Sequence, residues 1–361
     1  MPLRNNYGCL LQAYALQHVL KRMGHDVVTD RNGIVRKPLW NRVLRFVYHA
    51  IRFYILKDYR YYPYRYLFLS FNKENIALKS ISTNMENFVD THITTISFFE
   101  EYAKKWSNKV RFFDAIVVGS DQVWRATMSN ISVCFLSFTK GVQVKRIAYA
   151  ASFGMDNLKE YSRIDVRMAS QYIKQFNAVS VREESGVQIC RDYFKMNAVH
   201  VLDPTMLLAM EDYLKLIEDK DKICSQDMLL TYILDRTQEK NVMIQEISHT
   251  LDLRPYENGP AKLFSNIIKD NPSECIYPSV SKWLAGFRDA QFVVTDSFHG
   301  TVFSIIFNKP FIAILNVERG ASRFFSLLNM FHLEDRMVVV GGELTERLLM
   351  PIDYTLSLIH I

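Results

Sequence analysis

Short apolar runs recur along the chain from residue 114 onward, and each one ends in a small or charged residue. Their sequences are DAIVVGSD, RIAYAASFG, AVSVRE and AVHVLDP. Stretches with helical spacing of apolar residues separate several of these runs. Short apolar runs that alternate with helices are typical of buried strands in a parallel sheet. The pattern therefore predicts an α/β fold.

The alternation of strands and helices is interrupted once, near residue 205. Asp203-Pro204 breaks it, a charged stretch follows from Glu211 to Asp227, and the apolar run MLLTYILD restarts it. A chain of 361 residues is long enough for two domains, each with its own core. We therefore predict an N-terminal domain at 1–204 and a C-terminal domain at 205–361.

The N-terminal segment departs from this pattern. Apolar residues at helical spacing predict an amphipathic helix over residues 7–23, which Gly24 ends, and His25 to Val28 are expected to start a short strand. Met1 to Asn6 predicts no strand, although an α/β domain is expected to open with one. Either the fold starts with a helix, or a first strand is missing from this sequence.

The most informative stretch is FVVTDSFHGTVFSIIFNKPFIAIL, residues 292–315. It predicts a buried strand, helix-capping residues Asp296 and Ser297, a helix that opens at His299, and a second strand. Ligands bind beyond the carboxyl ends of strands in open α/β sheets, and helix N-termini bind anions. A titratable imidazole at this place suggests chemistry on an anionic substrate. The alternative is a histidine that only caps the helix.

The loop GSDQVW follows another predicted strand, Ala115 to Val118. Its glycine allows close approach of the backbone to a ligand. Asp121 and Gln122 can hydrogen-bond hydroxyl groups, and Trp124 could stack on the face of a sugar. The alternative is a tight turn followed by a buried tryptophan.

Two further places carry candidate ligand contacts. Arg182 follows the predicted strand Ala178 to Val181, and its planar guanidinium suits a carboxylate or a phosphate. An ion pair with a nearby glutamate is the alternative. Asn6, Tyr7 and Gly8 stand just before the first helix, where polar and N–H groups could receive a ligand.

Composition and missing motifs exclude several classes. With 49% hydrophobic and 23% charged residues the chain is globular, and five scattered cysteines without CxxC favour a reducing compartment over a disulfide framework or a zinc site. The chain has no GxGxxG, Walker, GxSxG or HExxH motif. No signal peptide and no membrane-spanning run is found, so we expect a cytoplasmic protein. We also predict no metal ligand and no resident cofactor.

The net charge of +6 is concentrated in one segment, residues 36–71. There eight basic residues stand against one acid, Asp58, among twelve aromatic residues. Arg42, Arg45 and Arg52 share one face of a predicted helix, in an insertion at about 36–110. Such a helix suits peripheral contact with an anionic membrane at its inner face, or an anionic lipid-linked glycan. A solvated helix face is the alternative, and we expect no nucleic acid as partner.

Taken together, seven segments resemble the polysaccharide pyruvyl transferase family and follow one another in the family's order. They are NNYGCLLQAYALQHVLKRMGH at 5–25, DAIVVGSDQVW at 114–124, IAYAASFG at 147–154, VSVREESG at 179–186, VLDPTMLL at 201–208, VVTDSFHGTVFSIIFNKPF at 293–311 and, more weakly, SRFFSLLNMFHLEDR at 322–336. The resemblance implies two Rossmann-like domains that face a cleft, similar to GT-B glycosyltransferases. It also implies transfer of the pyruvyl group of phosphoenolpyruvate to two hydroxyls of a sugar, in the biosynthesis of an exopolysaccharide, a capsule or a lipid-linked glycan.

On this resemblance His299 would be the general acid. The side chain of Ser297 and the N–H groups of Gly300 and Thr301 would lie near the donor phosphate. Arg182, and with it Arg323, would bind the charged groups of the donor, and the remaining candidates would face the acceptor sugar: Asn6, Tyr7, Gly8, Asp121, Gln122 and Trp124. Many family members carry an arginine just before the histidine, where this chain has Ser297 and Phe298.

Two other functions fit the same residues. A glycosyltransferase of the same fold would also place a basic residue and a histidine near the diphosphate of a nucleotide-sugar. A non-catalytic protein could instead recruit the machinery of a glycan pathway to the membrane through residues 36–71. The glycosyltransferase would require a nucleotide-sugar. The function of the non-catalytic protein would not depend on His299.

Overall fold

The structure is a computed structural model that describes residues 3, 6–31, 50, 54, 80–98, 110–223, 227–260, 272–315 and 320–357. Its first helix, α1, spans Tyr7–Arg22, which confirms the predicted N-terminal helix. Asn6 caps this helix, because its side chain accepts a hydrogen bond from Cys9 N at 3.2 Å. Except for residues 50 and 54, the predicted basic helix at 36–71 lies outside the described residues.

A small two-stranded sheet follows α1. The strand predicted from His25 lies further along the chain, at β1 (Thr29–Asp30), which pairs in parallel with β2 (Thr95–Ile96). Helix α2 (Thr83–His92) precedes β2. The side chain of Gln17 on α1 donates to Thr29 Oγ1 at 2.8 Å and to the Thr94 carbonyl at 2.9 Å, which holds both strands against the helix.

The next sheet has four parallel strands in sequence order. They are β3 (Ala115–Val118), β4 (Lys145–Ala151), β5 (Ala178–Val181) and β6 (Val199–His200). The helices of this region are α3 (Ile131–Cys134), α4 (Arg163–Ile173) and α5 (Glu184–Phe194). All four apolar runs predicted from residue 114 onward therefore form neighbouring parallel strands, and their carboxyl ends meet at one edge.

The second large sheet has five parallel strands in the order β11-β10-β9-β7-β8. They are β7 (Met228–Tyr232), β8 (Arg254–Glu257), β9 (Phe292–Thr295), β10 (Phe311–Leu315) and β11 (Met337–Val339). The helices are α6 (Met210–Leu214), α7 (Gln238–Leu251), α8 (Val280–Asp289), α9 (Phe298–Ile306), α10 (Ser322–Met330), α11 (Glu346–Leu349) and α12 (Tyr354–Ser357). The strand order changes direction between β7 and β9, which is where sheets of this type bind ligands.

The largest core joins the N-terminal helix to the second sheet. Every residue of α9 is buried, since this helix is apolar all round and connects two central strands. Tyr7, Leu10 and Leu11 of α1 belong to the same core as Val293 of β9. The parallel α/β fold is thus confirmed, and the division at residue 205 stays a prediction.

Within the described ranges, no helix is both long enough and apolar enough to cross a membrane.

Candidate active site

The turn between β9 and α9 places His299 in the first turn of a buried helix. Ser297 is the capping residue, and its Oγ accepts a hydrogen bond from Gly300 N at 3.4 Å. The Thr301 N–H donates to the Ser297 carbonyl at 3.0 Å. The helix is therefore capped by the serine and not by the imidazole, so capping does not explain the histidine. The predicted phosphate contacts of Gly300 and Thr301 remain predictions, and a phosphate would compete with both of these bonds.

The imidazole of His299 is buried between elements of both large sheets. Its side chain lies against the backbone of Gly8 on α1, where a Cβ atom would overlap the ring. Its Nε2 lies 3.8 Å from Oδ2 of Asp203, just beyond β6. Within the described ranges this buried Nε2 has no hydrogen-bond partner. An unsatisfied buried polar atom is costly, and a ligand is one explanation for it.

Arg182, just beyond β5, is buried between two carboxylates. Its Nη1 donates to Asp203 Oδ2 at 2.8 Å, and its Nη2 donates to Asp121 Oδ1 at 2.9 Å. These three residues follow β5, β6 and β3, whose carboxyl ends lie at one edge of the sheet. The alternative of an ion pair was thus correct in kind, but its partners are aspartates and not the neighbouring glutamates. Arg182 Nε has no partner among the residues described.

Residues of α1 and of the loop after β3 complete this network. Cys9 Sγ donates to Asp121 Oδ2 at 3.0 Å. Gln12 Nε2 donates to Asp203 Oδ2 and also to Ser120 Oγ, the latter at 3.2 Å. The first helix therefore supplies a backbone surface for the imidazole and two side chains that hold the aspartates.

Burial and neighbouring charges have opposing effects on the pKa values of His299, Asp121 and Arg182. Burial lowers the pKa of His299 from its ordinary 6.5 to about 4, and nearby Asp203 offsets only part of this. Burial alone would raise the pKa of Asp121, but Arg182 holds it well below its usual range. Burial would also lower the pKa of Arg182, yet the two aspartates raise it. At neutral pH the free site therefore holds a charged arginine, charged aspartates and a neutral imidazole.

A second arginine, Arg323 on α10, lies close to the first. It is buried, and burial followed by the charge of Arg182 lowers its pKa to about 10. Glu183, next to Arg182, is fully buried, and its Oε1 accepts from Phe153 N at 2.7 Å. Burial raises the pKa of Glu183, against the effect of Arg182. Two guanidinium groups thus share one buried region.

Two of the predicted acceptor contacts lie in the core of the protein. Trp124 is fully buried, stacks on Phe135 at 4.8 Å, and donates from Nε1 to the Cys134 carbonyl. Tyr7 is 1% exposed and stacks on Trp283 at 4.9 Å. The structure therefore supports the alternative for Trp124, a buried tryptophan behind a turn, and Tyr7 is likewise packed in the core.

Two further acceptor candidates, Asn6 and Gln122, have local hydrogen-bond partners. Asn6 is exposed, and its side-chain oxygen caps α1. Gln122 Oε1 accepts a hydrogen bond from Arg125 Nη1 at 2.9 Å. Neither bond excludes a sugar contact, so both contacts remain predictions.

The sequence interpretation missed Asp203, Cys9, Gln12 and Ser120 as members of the site. Asp203 had a usable signal, since it ends the apolar run AVHVLDP as Asp121 ends AIVVGSD. The sequence pattern instead predicts a break between domains at Asp203-Pro204. Cys9 and Gln12 had no such signal, because only packing shows which face of a helix meets the sheet edge.

A parallel α/β fold that gathers a histidine, an arginine and two carboxylates at strand ends is typical of enzymes with polar substrates. Among the described residues, no group of three or more His, Cys, Asp or Glu side chains is placed to hold a metal ion.

The kind of enzyme follows from comparison with protein families. The family model for polysaccharide pyruvyl transferase matches residues 6–317, most of the chain, and the chain belongs to this family. The protein is therefore a transferase that transfers pyruvyl groups to polysaccharide. A search among curated proteins found no match.

Proposed function

We propose that the protein transfers the pyruvyl group of phosphoenolpyruvate to two hydroxyls of one sugar, in a polysaccharide or a lipid-linked glycan. The product is a pyruvate ketal, and inorganic phosphate is released. The observation that carries the proposal is the buried His299, whose Nε2 is unpartnered among the described residues and faces Asp203 beside two arginines. Family membership supplies the reaction type.

The atoms balance with one proton carried by the enzyme. A proton adds to the methylene carbon C3, which becomes the methyl group, and the first hydroxyl oxygen bonds to C2. The second hydroxyl oxygen then bonds to C2, while the bond from C2 to the phosphate oxygen breaks. Two hydroxyl protons are released. One replaces the proton used at C3, and the other leaves with phosphate or solvent.

We assign the proton transfer to His299 as general acid. Its lowered pKa means that it must take up a proton when the donor binds. A charge pair at 4 Å and an effective dielectric of 20 is worth roughly 4 kcal/mol, or about 3 pKa units. A bound phosphate at that distance would bring the pKa of His299 close to neutral, where a general acid works best.

We assign donor binding to Arg182 and Arg323, with Ser297, Gly300 and Thr301 near the phosphate. Asp121, Gln122, Asn6 and Gly8 are the acceptor contacts that we retain, because Trp124 and Tyr7 are part of the core. In this arrangement the two Rossmann-like halves face a cleft, as in GT-B enzymes. No metal or resident cofactor takes part in this scheme.

Phosphate release tests the proposal directly. The protein is incubated with phosphoenolpyruvate and candidate glycans, and both phosphate and the glycan ketal are measured. We expect equal amounts of both, dependent on the glycan and lost in His299→Ala. Phosphate that appears only when a nucleotide-sugar is present would instead support a glycosyltransferase, and unchanged ketal formation in His299→Ala would support a non-catalytic role for this residue.

We further propose that the reaction takes place in the cytoplasm, with residues 36–71 in contact with the inner face of the membrane. The full-length protein should co-sediment with anionic lipid vesicles and not with neutral ones. A triple variant, Arg42→Glu, Arg45→Glu and Arg52→Glu, should abolish co-sedimentation and leave turnover of a water-soluble acceptor unchanged. Equal binding to neutral vesicles would contradict this location.

A further inference from the structure

The ring of Phe298 contacts both arginines of the site. Phe298 is buried, with 5% of its surface exposed, and it directly precedes His299 at the start of α9. The Cζ atom of Arg182 lies 4.6 Å from the centroid of the ring, and the Cζ atom of Arg323 lies 5.6 Å from it. Both distances are within the range of an attractive cation–π contact. One aromatic ring therefore links a guanidinium group that follows β5 to one on α10.

Two buried positive charges so close together repel each other, and several groups oppose this repulsion. Asp121 and Asp203 neutralise Arg182, and the charges of Asp121 and Glu183 favour the charged form of Arg323. The electron-rich face of the ring adds attraction without adding a competing negative charge. A ring has a further advantage here, since it does not occupy the N–H groups that a carboxylate or phosphate would bind.

We infer that Phe298 is a positioning residue, which holds the guanidinium groups of Arg182 and Arg323 side by side for a donor that carries both a carboxylate and a phosphate. The inference rests on the proposed function, because it assumes that donor. It also accounts for a departure noted in the sequence: positions 297 and 298 carry no arginine, and the second positive charge of the site comes from α10 instead.

The position of Phe298 connects donor binding to the proton donor. Its ring centroid lies 5.4 Å from that of His299, at an interplanar angle of 88°. The ring also packs edge-on against Phe324, the residue after Arg323, at 6.0 Å. A shift of this ring would therefore move both arginines relative to the imidazole. A leucine would fill much of the same space, but it has no negative face to attract a guanidinium.

Binding of phosphoenolpyruvate to the full-length protein, measured by calorimetry without any acceptor, tests this role. Phe298→Leu should weaken binding about tenfold, or about 1.4 kcal/mol, and should raise KM for the donor more than it lowers kcat. Phe298→Tyr keeps the ring and should retain most of the affinity. Phe303→Leu is the matched control on the same helix. Phe303 is fully buried, and the rings it contacts in the described structure are Tyr213, Trp283, Phe287 and Phe307.

The outcomes separate the two levels of the proposal. Wild-type affinity in Phe298→Leu would overturn the positioning role and leave the proposed function standing. An equal loss of affinity in Phe303→Leu would also overturn it, since the effect would then come from the helix as a whole. If the wild-type protein itself binds no phosphoenolpyruvate, the proposed function fails, and this inference fails with it.

Discussion

Two buried ion clusters lie at strand ends of this protein, and they differ in how completely their polar atoms are bonded. In the first, Asp296 accepts hydrogen bonds from Leu234 N at 2.6 Å, from Asp235 N at 3.0 Å and from Lys240 Nζ at 2.6 Å. In the second, Arg182 binds two aspartates, but its Nε and the Nε2 of His299 have no partner in the described part of the chain.

On the proposed function, this difference distinguishes a structural cluster from one that binds a ligand. The Lys240–Asp296 cluster fixes the loop after β7 against the turn that leads into α9, and both oxygens of its carboxylate accept hydrogen bonds. The cluster around Arg182 gathers more buried charge, with Arg182, Asp121 and Asp203, and leaves Arg182 Nε and His299 Nε2 without a partner among the described residues. Fully bonded polar networks rigidify a fold, whereas buried unpaired atoms need an explanation such as a ligand.

The largest expected effect is on turnover when the unpartnered imidazole is removed. His299→Gln should lower kcat by about 10²–10⁴, the usual contribution of a general acid, with little change in the melting temperature. His249→Gln is the control, since this histidine is exposed on α7. A large loss of stability with normal specific activity in the folded fraction would show that His299 stabilises the fold and does not take part in the reaction.

At the Lys240–Asp296 cluster we expect a loss of stability and not a loss of turnover. Asp296→Ala leaves Lys240 buried without its carboxylate and should cost about 3–5 kcal/mol in the free energy of unfolding, measured with urea. Adding Lys240→Met should recover part of the loss, because no charge is then left unpaired. Glu218→Ala breaks an exposed pair with Lys220 and should cost far less, because exposed ion pairs contribute little to stability. Equal costs for the two single variants would remove the basis of the comparison.

Acidification should affect the cluster around His299 first. The pKa of this group is lowered by folding, from 6.5 to about 4, so the unfolded chain binds a proton that the folded protein does not. Stability should therefore fall as the pH drops from 6.5 to about 4, by roughly 3 kcal/mol in total. Denaturant titrations of the wild type and of His299→Gln should differ across this window. Parallel pH profiles would contradict the burial of a neutral imidazole.

The smallest expected effect concerns the contact of the imidazole with α1. Gly8→Ala adds a methyl group where the ring of His299 lies, so the ring must move, at a cost of about 1–3 kcal/mol. Turnover should fall together with stability. Gly259→Ala is the matched control, because within the described part of the chain its added Cβ would meet only Arg236 Nη2, at 3.9 Å. Wild-type turnover in Gly8→Ala would mean that the ring is not held by α1.

The sequence was most informative where the structure depends on residues that are close together along the chain. The strand, cap and helix of residues 292–306 lie where their pattern predicts them, since period and capping are local properties. The partners of Arg182 were not predictable in this way, because they lie 61 and 21 residues away along the chain. Trp124 shows the same limit. Its residue type suits a sugar site and a core equally, and only packing against Phe135 decides between them.

The most direct test of the account is the origin of the methyl hydrogen in the product. The reaction is run in D₂O with phosphoenolpyruvate and a glycan acceptor, and the ketal methyl group is examined by NMR and mass spectrometry. If His299 donates its exchangeable proton to C3, each pyruvyl group should carry one deuterium in its methyl group, and His299→Gln should form the ketal far more slowly. A ketal methyl group without deuterium, or phosphate release without any ketal, would contradict the account.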